Sequence, residues 1–172
     1  GIEDYEFIFV SNSPELSERL LNDARASSLL YGVNQGVVIL PGNAGFGAAN
    51  NAAVRASRSD RVVIMNPDVF PREAGWAAKH SALLSARPAS ETRIFGVPLY
   101  YDDGSLMHGG MYFEIDHGLS IEGFSMQQSQ LIRVEHYGKG APGEGSEFAR
   151  PRPVPAVTGA FISAERQWYE TL

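Results

Sequence analysis

Asn66-Pro67-Asp68, directly after the apolar run Val62 to Met65, is the first place in this chain where residue types and spacing could do chemistry. A carboxylate at the end of a strand suits a hard divalent cation, because Mg²⁺ takes one or two protein carboxylates and leaves its other positions to water and substrate phosphates. The same residues also read as a turn in which Asp68 caps a helix beginning near Arg72. A second candidate runs from Asn43 through Gly45, Phe46 and Gly47 to Asn50-Asn51, after one strand and into a helix. Free N–H groups and the partial positive charge of a helix N-terminus can hold an anion there. Glycines in such a turn also serve close packing alone, but two adjacent asparagines, mediocre helix formers, ask for a local reason.

The histidines are His80, His108, His117 and His136, and their spacing is not that of a metal site. His108, before Gly109-Gly110, and His136, before a Gly/Pro-rich stretch, stand out, although each also reads as a satisfied polar residue. There is no G-x-S-x-G elbow and no G-x-x-x-x-G-K-[ST] phosphate loop. Asp102-Asp103 precedes Gly104-Ser105, so this acidic pair reads as a hairpin tip whose side chains point apart.

The elements that must position these residues follow from periodicity. Tyr5 to Val10 is a dense aromatic and β-branched run, predicted as a buried strand. Leu16, Leu20, Leu21, Ala24, Leu29 and Leu30 recur at helical intervals and predict an amphipathic helix from Pro14 to Leu30. A strand over Gly36 to Leu40, a helix over Gly45 to Ser57 and a strand over Arg61 to Met65 come next. This alternation predicts parallel strands with helical crossovers, and such sheets bind ligands beyond their carboxyl ends. A helix over Arg72 to Ser85 and a strand over Arg93 to Tyr100 are expected, then short strands at Gly110 to Ile115 and Leu131 to Glu135. Gly138 to Pro155 is too rich in Gly and Pro for a regular element and reads equally as a substrate-covering loop or a disordered excursion. Val157 to Ser163 is strand-like, and Ala164 to Leu172 begins a helix.

Composition bounds the rest. The chain has 172 residues, 44% hydrophobic and 20% charged, which fits one globular domain. With 20 acidic against 14 basic residues its net charge of −6 has the wrong sign for neutralising phosphate backbones, so nucleic acid is not an expected partner. Cysteine is absent, which excludes thiol catalysis and zinc-cysteine sites. No apolar run approaches the roughly 20 residues of a membrane helix. Without export or membrane signals the expected location is the cytoplasm, with the inner-membrane surface as a place of peripheral association.

Taken in order, Tyr5-Glu6-Phe7-Ile8-Phe9-Val10-Ser11-Asn12-Ser13, Asn43-x-Gly45-Phe46-Gly47-x-x-Asn50-Asn51, Val62-Val63-Ile64-Met65-Asn66-Pro67-Asp68-Val69 and Val157-Thr158-Gly159-Ala160-Phe161 resemble family 2 glycosyltransferases of the GT-A fold. Asp103-Gly104-Ser105-Leu106-Met107-His108-Gly109-Gly110 looks like a stretch of that family's rhamnosyltransferase-like branch. The resemblance implies an α/β fold, GT-A-like and therefore Rossmann-like, with a mostly parallel sheet flanked by helices and a C-terminal part of short strands and loops. Residues 1–172 would form a single, partial domain, with a nucleotide-binding half over 1–100 and an acceptor-side half over 101–172.

By that likeness the chain would transfer sugar from a nucleotide-diphosphate sugar to a saccharide or lipid-linked acceptor in bacterial polysaccharide synthesis, with inversion. Asp68 would hold Mg²⁺ or Mn²⁺. Ser11, Asn12, Asn43, Gly45, Asn51 and Asn66 would shape the nucleotide-sugar pocket, and Thr158, Gly159 and Ala160 the acceptor side. The family usually carries Asp where Ser11 stands. Its first strand would precede Tyr5, and its catalytic base would lie beyond Leu172, with Glu165 as the substitute within the chain. The isolated chain is therefore expected to be inactive, and exposed sheet edges would favour a homo-oligomer. The alternative is a non-catalytic nucleotide- or glycan-binding or assembly module that keeps the fold and has lost the chemistry.

Overall fold

The computed structural model describes residues 4–86, 94–116, 131–143, 145 and 147–172; Arg93 and His117 lie outside them. In chain order its elements are β1 (Glu6–Ser11), α1 (Ser17–Tyr31), β2 (Asn34–Ile39), α2 (Gly45–Ala56), β3 (Arg61–Met65), α3 (Trp76–Ser85), β4 (Ile94–Phe95), β5 (Leu99–Tyr100), β6 (Leu106–His108), β7 (Met111–Asp116), β8 (Leu131–His136), β9 (Phe161–Glu165) and α4 (Arg166–Tyr169). Single turns of 3₁₀ helix cover Pro14–Leu16 and Glu147–Ala149. The protein is mixed α/β. It divides into two compact units, Gly1–Ile64 with Ser163–Leu172, and Met65–Ile162.

The described strands do not form the expected mostly parallel sheet. They make four small sheets, β1-β2, β3-β9-β4, β5-β6 and β7-β8. β1-β2 is parallel, whereas β5-β6 and β7-β8 are antiparallel. The alternation of strand and helix does produce a parallel crossover from β1 through α1 to β2. It does not choose the neighbour of the next strand: β3 is ordered beside β9, which arrives from the far end of the chain.

In the first unit β1 and β2 pair from Glu6↔Asn34 to Ser11↔Ile39, and the Leu40 N–H extends the ladder to the Ser11 carbonyl at 3.0 Å. The core comprises Ala24, Val33, Ala49, Val54, Val62, Ile64 and Ala164, with Ser11 and Ser163 buried among the polar residues. β1 is not wholly buried as its composition suggests. Phe7 and Phe9 point to an exposed face while Ile8 and Val10 turn inward, the alternation of a strand covered on one side. Likewise α1 forms where its period places it, yet Leu29 and Leu30 stay exposed near its end. Arg58, just past α2, donates from its backbone N–H and its Nε to the two carboxylate oxygens of Glu6, each at 3.0 Å. These bonds hold the Glu6 carboxyl below its ordinary range. α4 is pinned near α2: the Arg166 N–H donates to the Asp60 carbonyl at 2.7 Å and the Tyr169 hydroxyl to Asn51 Oδ1 at 3.1 Å.

In the second unit the core is Leu99, Leu106, His108 and Phe161. α3 starts at Trp76 and not at Arg72, because Gly75 takes a left-handed turn (φ 73°) just before it. Trp76 and His80, one helical turn apart, meet Phe161 edge-on, with ring centroids 6.0 and 5.3 Å away. The strand expected over Arg93 to Tyr100 is split into β4 and β5, with Pro98, which has no N–H, between them. β5 and β6 form a hairpin whose tip is the Asp102-Asp103-Gly104 turn, as the sequence suggested. Asp103 Oδ1 accepts the Ser105 hydroxyl at 2.6 Å and the Ser105 N–H at 2.8 Å, which lowers the Asp103 pKa. β7 and β8 pair from Met111↔His136 to Ile115↔Ile132, with a Glu114–Arg133 ion pair of 2.8 Å across one face and exposed Phe113, Ile115, Ile132 and Val134 on the other.

Over its described residues the Gly/Pro-rich stretch is packed against its neighbours. Phe148 stacks on Tyr137, and the Arg152 guanidinium lies 4.3 Å above the Tyr137 ring while donating to the Gly109 carbonyl at 3.1 Å. Gly143 sits where a side chain would strike the Gly104 carbonyl and the Tyr100 ring. Because backbone cannot swing aside as a long side chain can, Gly143→Ala is expected to cost about 1–3 kcal/mol in stability, measured by urea unfolding.

Candidate functional site

Two sets of the sequence-derived residues gather, one in each unit. In the first unit Ser11, Asn12, Asn43 and Gly45 come together where β1 and β2 end. Parallel pairing in register brings both strand ends to one edge, and the following loops meet there. Asn12 Oδ1 accepts the Ala44 N–H at 3.3 Å, Asn12 Nδ2 donates to the Gly45 carbonyl at 3.5 Å, and Asn43 Oδ1 accepts the Gly45 N–H at 3.0 Å. Gly45 opens α2 at φ 82°, a backbone that a side chain resists. Ala44, the N-cap of this 12-residue helix, supplies no capping side chain, and Asn43 takes only the Gly45 N–H, so among the described residues the first-turn amides of Phe46 and Gly47 keep the polarity that favours an anion.

Two of the nucleotide-side candidates of this unit, Ser11 and Asn51, are already engaged. The Ser11 hydroxyl donates to the Ser13 carbonyl at 2.9 Å and accepts the Ser13 N–H at 3.2 Å, closing its own loop. Asn51 lies further along α2 and takes the Tyr169 hydroxyl. Glu165, exposed, ends β9 immediately before α4.

In the second unit the Asn66-Pro67-Asp68 turn and the Thr158-Gly159-Ala160 segment are joined directly. The Asn66 N–H donates to the Ala160 carbonyl at 2.9 Å, and the Val69 N–H closes the turn on the Asn66 carbonyl at 3.2 Å. Asp68 is exposed, and no hydrogen bond or ion pair engages its carboxylate among the described residues. Those residues hold no cluster of three or more potential metal ligands. A lone carboxylate beside an Asn carbonyl is a hard-oxygen set that suits Mg²⁺ or Mn²⁺ only with water and phosphate completing the shell.

Two features escaped the sequence reading. One is an open depression of about 400 Å³ lined by Arg72, Asp103, Gly104, Ser105, Gly140, Pro142 and Gly143. The Arg72 guanidinium lies 4.6 Å above the Tyr100 ring and is not ion-paired among the described residues, so donor and acceptor charges face one cavity unspent on each other. Hydroxyl groups, which donate and accept at once, match such a lining.

The other is the His108–His136 pair. His108 is 1% exposed, and its Nδ1 lies 3.1 Å from His136 Nδ1. Its Nε2 is 3.4 Å from the Thr158 N–H. A backbone amide can only donate, so His108 Nε2 is the bare nitrogen; Nδ1 carries the proton and gives it to His136 Nδ1. Burial, and then the neighbouring His136, push the His108 pKa down to about 4. The two histidines stood out in the sequence, but nothing in their spacing signalled that they meet.

No protein-family profile matches the chain, and no solved structure matches it. Over 66 residues, 38% of the chain, it is 38% identical to Uncharacterized protein y4gI of Sinorhizobium fredii (strain NBRC 101917 / NGR234). The match covers 7% of that protein, so the chain spans a small fraction of its length. No helix among the described residues is long and apolar enough to cross a membrane.

The buried histidine makes stability depend on pH. Its folded pKa, about 4, lies below the ordinary 6.5, so the unfolded chain binds the proton first as pH falls. Stability is full above about pH 6.5 and declines toward pH 4, by about 2 kcal/mol at pH 5. His80, also lowered by burial, adds in the same direction. Urea unfolding at pH 7.5 and pH 5 is expected to show this loss in the wild type and a smaller one in His108→Gln.

Proposed function

We propose that the chain is a glycosyltransferase-like domain of GT-A architecture that binds a nucleotide-diphosphate sugar and serves transfer to a saccharide or lipid-linked acceptor in bacterial polysaccharide synthesis, in the cytoplasm. The observation that carries this reading is the edge of the β1-β2 pair. There Asn12 and Asn43 hold the loop that leads into α2, and the Phe46 and Gly47 amides in its first turn offer a place for phosphate, at the position where parallel α/β units receive nucleotides. The bond between Asn66 and Ala160, which joins two of the motifs behind the resemblance, supports it further.

In this reading Asp68, with Asn66 beside it, would hold Mg²⁺ or Mn²⁺, whose chemistry when bound would be charge neutralisation of a diphosphate leaving group. Asn12 and the α2 amides orient the nucleotide. Thr158, Gly159 and Ala160 line the acceptor side, and the depression between Arg72 and Asp103 takes acceptor hydroxyls.

A second reading, a nucleotide- or glycan-binding module without catalysis, is favoured by Glu165. Deprotonating a sugar hydroxyl needs a base within about 2.6–3.2 Å of it, held in place. Glu165 is exposed, and no side-chain partner fixes it among the described residues.

Calorimetric titration with UDP or dTDP in Mn²⁺ tests the common ground. Binding is expected in the wild type and is expected to weaken by about tenfold or more in Asp68→Ala, the worth of one interaction with a charged group. Equal affinity with and without metal in both proteins would make Asp68 a turn residue only. Sugar-transfer and nucleotide-sugar hydrolysis assays of wild type and Glu165→Gln separate the two readings: turnover abolished by the substitution would place the base at Glu165, and binding without turnover favours the module.

A further inference from the structure

We infer that His108 is the positioning residue of the Asn66-Pro67-Asp68 turn, acting through a chain of hydrogen bonds that crosses the second unit. The functional meaning rests on the reading of Asp68 as the metal-side carboxylate; the positioning itself rests on geometry. His108 Nε2 accepts the Thr158 N–H at 3.4 Å. Thr158 Oγ1 accepts the Ala160 N–H at 3.3 Å. The Ala160 carbonyl accepts the Asn66 N–H at 2.9 Å, and the Asn66 carbonyl accepts the Val69 N–H at 3.2 Å, closing the turn that carries Asp68.

The choice of residue points the same way. His108 shares its hairpin with Leu99 and Leu106, both buried, where another aliphatic residue would pack without desolvating a polar ring. A buried imidazole is tolerated there because both nitrogens are used. His136 takes one, at the end of β8 where the Met111↔His136 register brings it alongside. By accepting the Nδ1 proton it fixes the tautomer that leaves Nε2 bare for Thr158. The imidazole thus exchanges core packing for an acceptor aimed at one backbone amide. A carboxylate that shares a cation with a diphosphate has to be held within about 0.5 Å, and the far end of this chain of bonds is where such a carboxylate sits.

The test is residue-resolved amide hydrogen exchange on the full chain at pH 7, for wild type, His108→Leu, His108→Gln and Thr158→Val. His108→Leu keeps similar volume without an acceptor; His108→Gln restores an acceptor; Thr158→Val breaks the second link without touching the histidine. Exchange of the Ala160 and Asn66 amides is expected to quicken about tenfold in His108→Leu and Thr158→Val, the worth of one hydrogen bond, and to stay within about threefold of wild type in His108→Gln. Unchanged β2 amides show that the first unit remains folded. Unmoved Asn66 exchange in folded His108→Leu or Thr158→Val would overturn the inference, as would His108→Gln behaving like His108→Leu. Ring-nitrogen shifts of wild-type His108 give a reading that needs no variant, and a proton on Nε2 would also overturn it. In the same proteins, Mn²⁺–UDP affinity is expected to fall with His108→Leu and return with His108→Gln. Absence of Mn²⁺–UDP binding in the wild type, with the exchange pattern intact, would remove the nucleotide-sugar reading and leave the positioning standing.

Discussion

A buried imidazole nitrogen needs a partner, and for His108 Nε2 that partner is the backbone N–H of half-buried Thr158. The requirement propagates outward. His108 has to stay neutral, so its ring must remain enclosed; its proton must sit on Nδ1, so His136 must be alongside. His136 reaches that place only if β7 and β8 pair in their observed register, and His108 only if the β5-β6 hairpin closes over its Gly104 turn. One imidazole and its two partners therefore tie a hairpin, a strand pair and a loop segment to a common geometry. Loss of that bond would leave a polar group buried without a partner, which is more costly than the modest net worth of the bond once made.

The same unit shows how absence of side chains can specify structure. Gly109, Gly138 and Gly143 stand where added carbon would strike Phe148, Leu106, Tyr100 or main-chain atoms. Their bareness lets the stretch after β8 lie tightly against the hairpin, and the Arg152 guanidinium over the Tyr137 and Phe148 rings fastens it. Glycine density, which in sequence suggests freedom, here accompanies close contact.

Elements with a strong local period were legible. Helices α1 and α2, strands β1, β2 and β3, and the hairpin tip at Asp103 fall within a few residues of where pattern and turn chemistry place them. Pairing was not legible beyond the first crossover, because periodicity says which face of a strand is apolar and not which strand will cover it. The start of α3 depended on the backbone angle of Gly75, and the split between β4 and β5 on the missing amide of Pro98. In the candidate site, local neighbours such as Asn43 and Gly45 could be read together, since they share one loop. The meeting of Asn66 with Ala160, and of His108 with His136, is a product of tertiary folding, and no spacing rule encodes it. The depression beside Arg72 was invisible for the same reason: its lining comes from three separated turns.

Trp76, edge-on to Phe161 in the second unit, and Trp168, in α4 of the first, are the chain's two tryptophans. Indole emission therefore carries one fluorophore per unit. Replacing either indole by phenylalanine isolates the spectrum of the other, so melting of the two parts can be followed as separate optical signals in a protein that needs no attached dye.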